Sequence, residues 1–299
     1  MKPPPFVYHR PASVVAALAT LAEAGEDGKV LAGGQSLVPL LNMRLTQPGH
    51  LVDINRIREL SYVDAGSDAV RVGALTRHAE LARHPGVPAL LREATGCVAH
   101  PAIRNRGTTV GSIVHADPAA ELPAVLALLR GSVTLASAAA RPGRARPDQE
   151  IVRRSVAAAD FFLGPLTSAV RPDELAVEAV FPRPAPRSGT AWLELSRRKG
   201  DFALCGTGVL VTLDEDRRVT GATGAYTGVG PVPVLVELTE AVAGRPVDAV
   251  DWDRAGTLAA GAVAPEDDIH ATAAYRRQLV RVLSARAGAA AARMAVADG

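Results

Sequence analysis

Between two apolar helical patterns the chain runs His100-Pro101-Ala102-Ile103-Arg104-Asn105-Arg106-Gly107-Thr108-Thr109-Val110-Gly111-Ser112-Ile113-Val114-His115-Ala116-Asp117-Pro118. No other stretch restricts the fold as strongly. A loop of two arginines, two threonines, a serine, two glycines and an Asp-Pro costs stability and needs a reason. Small residues let a backbone approach a ligand, and N–H groups flanked by hydroxyls and arginines suit a phosphate-bearing one. A second glycine turn, Ala32-Gly33-Gly34-Gln35-Ser36, has the same chemistry far upstream. Two such loops predict a ligand long enough to need two grips.

The chain has 299 residues, more than one core usually holds, which predicts two domains or three small ones. Aromatic residues make up only 4%, so the core must be built from Ala, Val and Leu. A net charge of +2 is too small to imply nucleic acid. The one basic cluster, Arg141, Arg144, Arg146, Arg153 and Arg154, reads as a solvated loop or a partner-docking edge. Met1 to Pro5 is followed by no apolar signal region, and no apolar run approaches a membrane span. The expectation is a cytoplasmic protein with no direct membrane insertion. Two cysteines, Cys97 and Cys205, with no Cys-x-x-Cys, exclude an iron–sulfur cluster or a cysteine-rich zinc site within this chain. They read as small buried side chains.

Ser13 to Ala24 reads as an amphipathic helix capped by Ser13 and ended by Gly25. Strands are predicted at Lys29–Ala32, Leu51–Ile54, Val70–Ala74 and Val133–Leu135, with helices at Thr76–Arg83, Val87–Val98 and Leu122–Leu129. Ala138 to Gln149 reads as an exposed loop, and the three prolines of Phe181–Gly189 as a domain linker. Beyond it, Trp192–Leu195, Gly208–Leu213 and Val219–Tyr226 read as a three-stranded antiparallel sheet with a hairpin at Asp214–Arg217. Helices are predicted over Val232–Ala243, Asp251–Val263 and Thr272–Val296. The fold class is α+β.

On its own the Gly33-Gly34 turn is a weak signal and reads more readily as a plain turn than as a ligand loop. No Gly-x-Gly-x-x-Gly follows the first strand and no P-loop is present. Arg104 to Ser112 is either a ligand loop or a structural loop whose arginines pair with carboxylates. Asp117 before Pro118 suits a helix cap with proline in the first turn. His100 and His115 read as packed or solvated. Arg197-Arg198-Lys199-Gly200-Asp201-Phe202 reads as a charged turn or as a wall that the second domain adds to the ligand site. No Ser-His-Asp set or metal-spaced histidine pair appears, so the sequence gives hydrolytic and zinc chemistry no support.

Five ordered stretches now carry a resemblance. They are Leu31 to Leu37 with Leu51 to Ile54; Ile103 to Pro123; Arg197 to Ala203; Gly228-Val229-Gly230-Pro231-Val232-Pro233; and Asp268 to Arg277. The chain resembles the FAD-binding medium subunit of molybdenum hydroxylases, the carbon monoxide dehydrogenase and xanthine dehydrogenase type, over nearly its whole length. The resemblance implies a two-lobed FAD-binding domain of the vanillyl-alcohol-oxidase type at 1–181, with lobes of about 1–58 and 59–181. A smaller α+β domain at 188–299 would follow. It implies noncovalent FAD, with the pyrophosphate held by Ala32, Gly33, Gly34, Gln35, Ser36 and Leu37 and by Thr108, Thr109, Val110, Gly111 and Ser112. Asp117 would meet the ribityl or ribose portion, and Val170 and Trp192 would line the flavin ring. No residue is assigned a catalytic or metal-binding role.

Two departures stand out. Gln35 occupies a position often held by histidine. Thr109-Val110-Gly111 replaces the usual Ile-Gly-Gly, so Val110 stands for a glycine and predicts a loop of different shape. The implied function is electron transfer. A large molybdenum subunit would hydroxylate substrate, and a small subunit would carry 2Fe–2S clusters. FAD in this chain would pass the electrons to an external acceptor, and the assembly would be a dimer of heterotrimers. The alternatives are a stand-alone flavoenzyme on the same fold and a non-catalytic subunit that has lost FAD.

Overall fold

The computed structural model, which describes residues 2–139 and 150–297, holds three sheets of three to five strands and one two-stranded hairpin among those residues. The first sheet is parallel. β1 (Val7–His9) leads into α1 (Val14–Ala24), then β2 (Gly28–Leu31), α2 (Leu37–Asn42) and β3 (His50–Asp53). The strand order β1-β3-β2 leaves the carboxyl ends of β2 and β3 side by side. Ser13 caps α1 as expected, its hydroxyl accepting from the Ala16 N–H at 3.2 Å. Val14, Ala17, Leu18 and Leu21 form the buried face.

The second sheet is antiparallel, in the order β4-β5-β10-β6-β7. Its strands are β4 (Val63–Ala65), β5 (Ala69–Gly73), β6 (Ser132–Ala138), β7 (Ile151–Ala157) and β10 (Leu175–Pro182). Between β5 and β6 the chain forms α3 (His78–Arg83), α4 (Ala89–Cys97), α5 (Pro101–Arg104), α6 (Thr109–His115) and α7 (Glu121–Leu128). After β7 come α8 (Ala158–Phe161) and a small hairpin of β8 (Phe162–Gly164) and β9 (Thr167–Ser168). The helix α7 is buried along all its length, which explains a run with no polar face.

Two readings change here. Arg153 and Arg154 lie on β7 and not in a loop, and Arg154 pairs with Glu174 at 2.7 Å. Arg141, Arg144 and Arg146, with most of the expected Ala138–Gln149 loop, lie outside the described residues.

The third sheet is antiparallel and four-stranded: β11 (Ser188–Ser196), β12 (Ala203–Leu213), β13 (Val219–Thr227) and β14 (Val234–Glu237). It therefore has one strand more than the three expected. The segment Val232–Ala243, read as one helix, is instead β14 followed by the single turn α9 (Thr239–Val242). The helices α10 (Trp252–Ala262) and α11 (Ala273–Ala297) cover one face of this sheet. Two apolar cores result, and Trp192 and Ala225 of the third sheet belong to the first of them. The proline-rich segment between the second and third sheets is short: β10 ends at Pro182 and β11 starts at Ser188. Among the described residues no helix is long and apolar enough to cross a membrane.

Candidate functional site

The two glycine segments meet. Gly33 leaves the carboxyl edge of β2, and a Cβ on it would lie 2.6 Å from the Arg106 carbonyl oxygen, 2.8 Å from the Gly107 Cα and 3.0 Å from the Thr108 nitrogen. Only glycine permits that approach. Gly34 follows at φ 71°, a left-handed turn that again suits glycine. Residues 73 to 75 positions apart in sequence thus become one surface.

The second segment is not an open loop. Thr108 caps α6, its hydroxyl accepting from the Gly111 N–H at 3.2 Å. A Cβ at Gly111 would sit 2.5 Å from that hydroxyl, so glycine is what allows the cap. Val110 lies in the first turn of α6 with an ordinary negative φ, 2% exposed and part of the core. Val110 therefore carries no positive-φ strain. The valine fills space beneath the segment, and its backbone stays helical.

Asp117 also differs from expectation. Its Oδ1 accepts from the Ala119 N–H at 2.8 Å and caps a turn, while α7 starts later with Ala120 at its cap position. That turn is stapled to the third sheet: the Thr227 hydroxyl donates to the carbonyls of Pro118 at 2.7 Å and Ala120 at 2.9 Å.

The donors at the junction are suited to an anion. None of the N–H groups of Gly33, Gly34, Gln35 and Ser36 has an acceptor among the described residues. The Gln35 side chain is turned back to the Gly33 carbonyl at 3.1 Å. Leu37 opens α2 directly behind this row, and Ser112 continues α6. The Thr109 hydroxyl is buried and has no partner, a state that normally costs about 1–3 kcal/mol. Consecutive free N–H groups, a waiting hydroxyl and two glycines fit the pyrophosphate of a dinucleotide. His78 lies under Gly107, and burial together with Arg104 and Arg77 lowers its pKa to about 4, so it is neutral.

The third sheet closes one side. Gly200 adopts φ 92°, and a Cβ there would strike the His100 ring, so the Arg197–Phe202 turn lies against the start of α5. Trp192 is 4% exposed, its ring over Gly206 and Gly208 of β12. Its indole N–H donates to Glu194 at 3.4 Å and its backbone N–H to Glu93 at 3.2 Å. Such a ring seals the joint between domains. Val170, after β9, is half-buried against the first core. The structure thus joins the two glycine segments directly and puts Trp192 in the domain joint.

Sequence reasoning missed two groups. Asn55 and Arg77 hydrogen-bond across the junction, and Asn55 could have been found because it leaves the carboxyl edge of a parallel strand beside β2, where ligands bind in open parallel sheets. Glu121, buried, and Glu194, half-buried, are carboxylates at the domain joint. Burial, then the charge of Glu194, raises Glu121 to about 8, and burial raises Glu194 to about 7. Burial and these carboxylates push the nearby Cys97 thiol up to about 12, so it is an inert thiol.

Comparison with known proteins gives the family of the chain. Residues 4–184 match the family model of the FAD binding domain in molybdopterin dehydrogenase, and residues 190–291 that of the CO dehydrogenase flavoprotein C-terminal domain. Subunit alpha of the 6-hydroxypseudooxynicotine dehydrogenase complex of Paenarthrobacter nicotinovorans is 38% identical over 290 residues, 96% of this chain and 94% of that one. Quinoline 2-oxidoreductase from Pseudomonas putida 86 superposes with a TM-score of 0.89 at 32% identity, over 99% of each chain. Carbon monoxide dehydrogenase from Hydrogenophaga pseudoflava gives a TM-score of 0.86 at 35% identity, over 97% of this chain and 98% of that one. Domain models in order, relatives matched end to end and one shared fold place the chain among the oxidoreductases, as a member of the FAD-binding medium subunits of the molybdenum hydroxylase family.

Proposed function

We propose that this chain holds FAD noncovalently between its two glycine segments and serves as the electron-transfer subunit of a heterotrimeric molybdenum hydroxylase. The observation that carries the reading is the contact of Gly33 with residues 106–108, which makes one cradle from two distant segments. The N–H groups from Gly33 to Ser36 would donate to the pyrophosphate, and the Thr109 hydroxyl would gain its missing partner. Asp117 would hold the ribityl or ribose hydroxyls. Val170 would line the ring, while Trp192, being buried, would back it. When bound, the flavin supplies electron exchange between one-electron centres and an external acceptor. The protein's part is to orient it and exclude water.

The rest of the assembly follows from composition and relatives. Two cysteines cannot ligate iron–sulfur clusters, so a small subunit would carry them and a large subunit the molybdenum cofactor. A dimer of such heterotrimers is the arrangement proposed. The exposed turn at Arg197, Arg198 and Lys199 beside Phe202, itself 72% exposed, is the proposed docking edge near the flavin. Val110 supports FAD retention, because its side chain lies in the core, away from the cradle surface.

The test is the visible spectrum of the purified full chain, followed by acid precipitation. A flavin spectrum with all flavin released to the supernatant is expected. A colourless chain that takes up no added FAD would overturn the reading, and flavin retained in the pellet would overturn its noncovalent part.

A further inference from the structure

We infer that Asn55 and Arg77 form a positioning strut that sets the gap between the two cofactor-binding segments. The inference rests on the FAD reading above and extends it to residues outside the two segments. The Asn55 Nδ2 donates to the Ala32 carbonyl at 2.8 Å, in the first segment. The Asn55 Oδ1 accepts from the Arg77 Nη2 at 2.7 Å. The Arg77 Nη1 donates to the Arg106 carbonyl, in the second segment. A chain of three hydrogen bonds therefore runs from one segment to the other through two side chains.

Both side chains are held. The Asn55 N–H and Nδ2 donate to the Asp53 Oδ1 at 2.9 and 2.6 Å, and Asp53 in turn accepts from the Tyr8 hydroxyl. The Asn55 amide has a fixed orientation, because the Ala32 carbonyl can only accept and the Arg77 guanidinium can only donate. The Arg77 backbone N–H donates to Glu80 at 2.9 Å, and the next residue, His78, donates its N–H to the Gly107 carbonyl at 3.0 Å. The strut lies on the solvent side, whereas Gly33 touches residues 106–108 directly. Contact at one point leaves the segments free to pivot. A second tie removes that freedom before the ligand arrives, so less order has to be created on binding. Arginine suits the role because its planar fork donates in two directions at once, which an ammonium on a flexible stem does not match.

The experiment is FAD titration of the full chain, apo-form melting, and the variants Asn55→Ala, Arg77→Lys, Arg77→Met and Asn55→Ala/Arg77→Lys. Affinity is scored on the folded fraction. Each single variant should weaken FAD about tenfold, the loss of a charge-assisted bond or its partner. The double variant should be no more than about twofold worse than the weaker single, because both break the same strut. Single variants within twofold of the parent chain would overturn the strut, as would losses that multiply in the double variant. Retained affinity in Arg77→Lys with loss in Arg77→Met would also overturn it, by showing a direct charge on phosphate. A parent chain that binds no FAD would instead sink the FAD reading itself.

Discussion

Thr109 and Val110 are neighbours with opposite roles, and the distinction can be tested one side chain at a time. Thr109 is fully buried with an unpartnered hydroxyl, whereas Val110 is buried in the core. Thr109→Val keeps the shape and removes the orphan. The FAD-free chain should be as stable as the parent or gain up to about 1 kcal/mol, while FAD affinity falls about tenfold. Val110→Gly should do the reverse. It removes a core side chain and loosens a helical residue, a loss of about 2–3 kcal/mol without FAD. Thermal melting with and without FAD separates the two. The glycine pattern of the segment was legible in the sequence, but its meaning was not. A valine in a glycine position suggests a distorted loop only where φ must be positive. Here α6 has already begun, and nothing local reveals that Thr108 caps it.

Elements with one dominant period were readable, and those with mixed signals were not. Helix α1, with its serine cap and terminal glycine, was legible in full. Strand β14 was not, because Val232 to Leu238 is so apolar that a helical face fits as well as a strand. The alternation was nonetheless there: Val236 and Leu238 are buried while Leu235 and Glu237 face out. Pro231 and Pro233 gave no warning, because proline is tolerated before a helix and in its first turn. Gly189 shows what sequence cannot supply. It reads as the end of a linker, yet it lies within β11, where a Cβ would strike the Ala291 carbonyl and the Ala295 nitrogen of α11. Both are backbone atoms and cannot turn aside. Gly189→Ala should therefore destabilise the chain by about 1–3 kcal/mol through overpacking. Gly221→Ala on β13 meets nothing within 4 Å and should be neutral. Denaturant midpoints of the two variants provide the comparison, and equal midpoints would contradict the close seating of α11 on β11.

At the scale of the molecule, the joint between the two domains holds one buried and one half-buried carboxylate, and their raised values predict a pH-dependent union. Glu121 on α7 and Glu194 on β11 are brought together at a joint that also holds Trp192 and Cys97. Burial, with Glu194 second, raises Glu121 to about 8, and burial raises Glu194 to about 7. Asp117 adds to the rise of Glu121, while Arg104 opposes it without cancelling it. Both carboxyls are thus protonated in the folded chain at pH values where the unfolded chain has released them. The unfolded state binds fewer protons there, so stability must fall as pH rises. The contribution is complete below the ordinary carboxylate range, near 4.5, and is lost as pH climbs through about 7 and 8. Asp53 and Glu174, with lowered values, act in the opposite sense only at acid pH. His78 and His115, lowered chiefly by burial, also add stability as pH rises towards their ordinary value of 6.5, so the joint stands alone only above it. The full chain should lose stability from pH 6.5 to pH 8, above the window in which His78 opposes the joint, and Glu121→Gln, which imitates the protonated acid, should flatten that slope. Because each carboxylate disfavours ionisation of the other, Glu194→Gln should flatten it as well, and the double variant should add less than the sum of the two. Denaturant unfolding at pH 5, 6.5 and 8 measures all four forms. Parallel slopes in the parent chain and Glu121→Gln would show that the carboxylates are already ionised in the folded state, and that the joint is held without their protons.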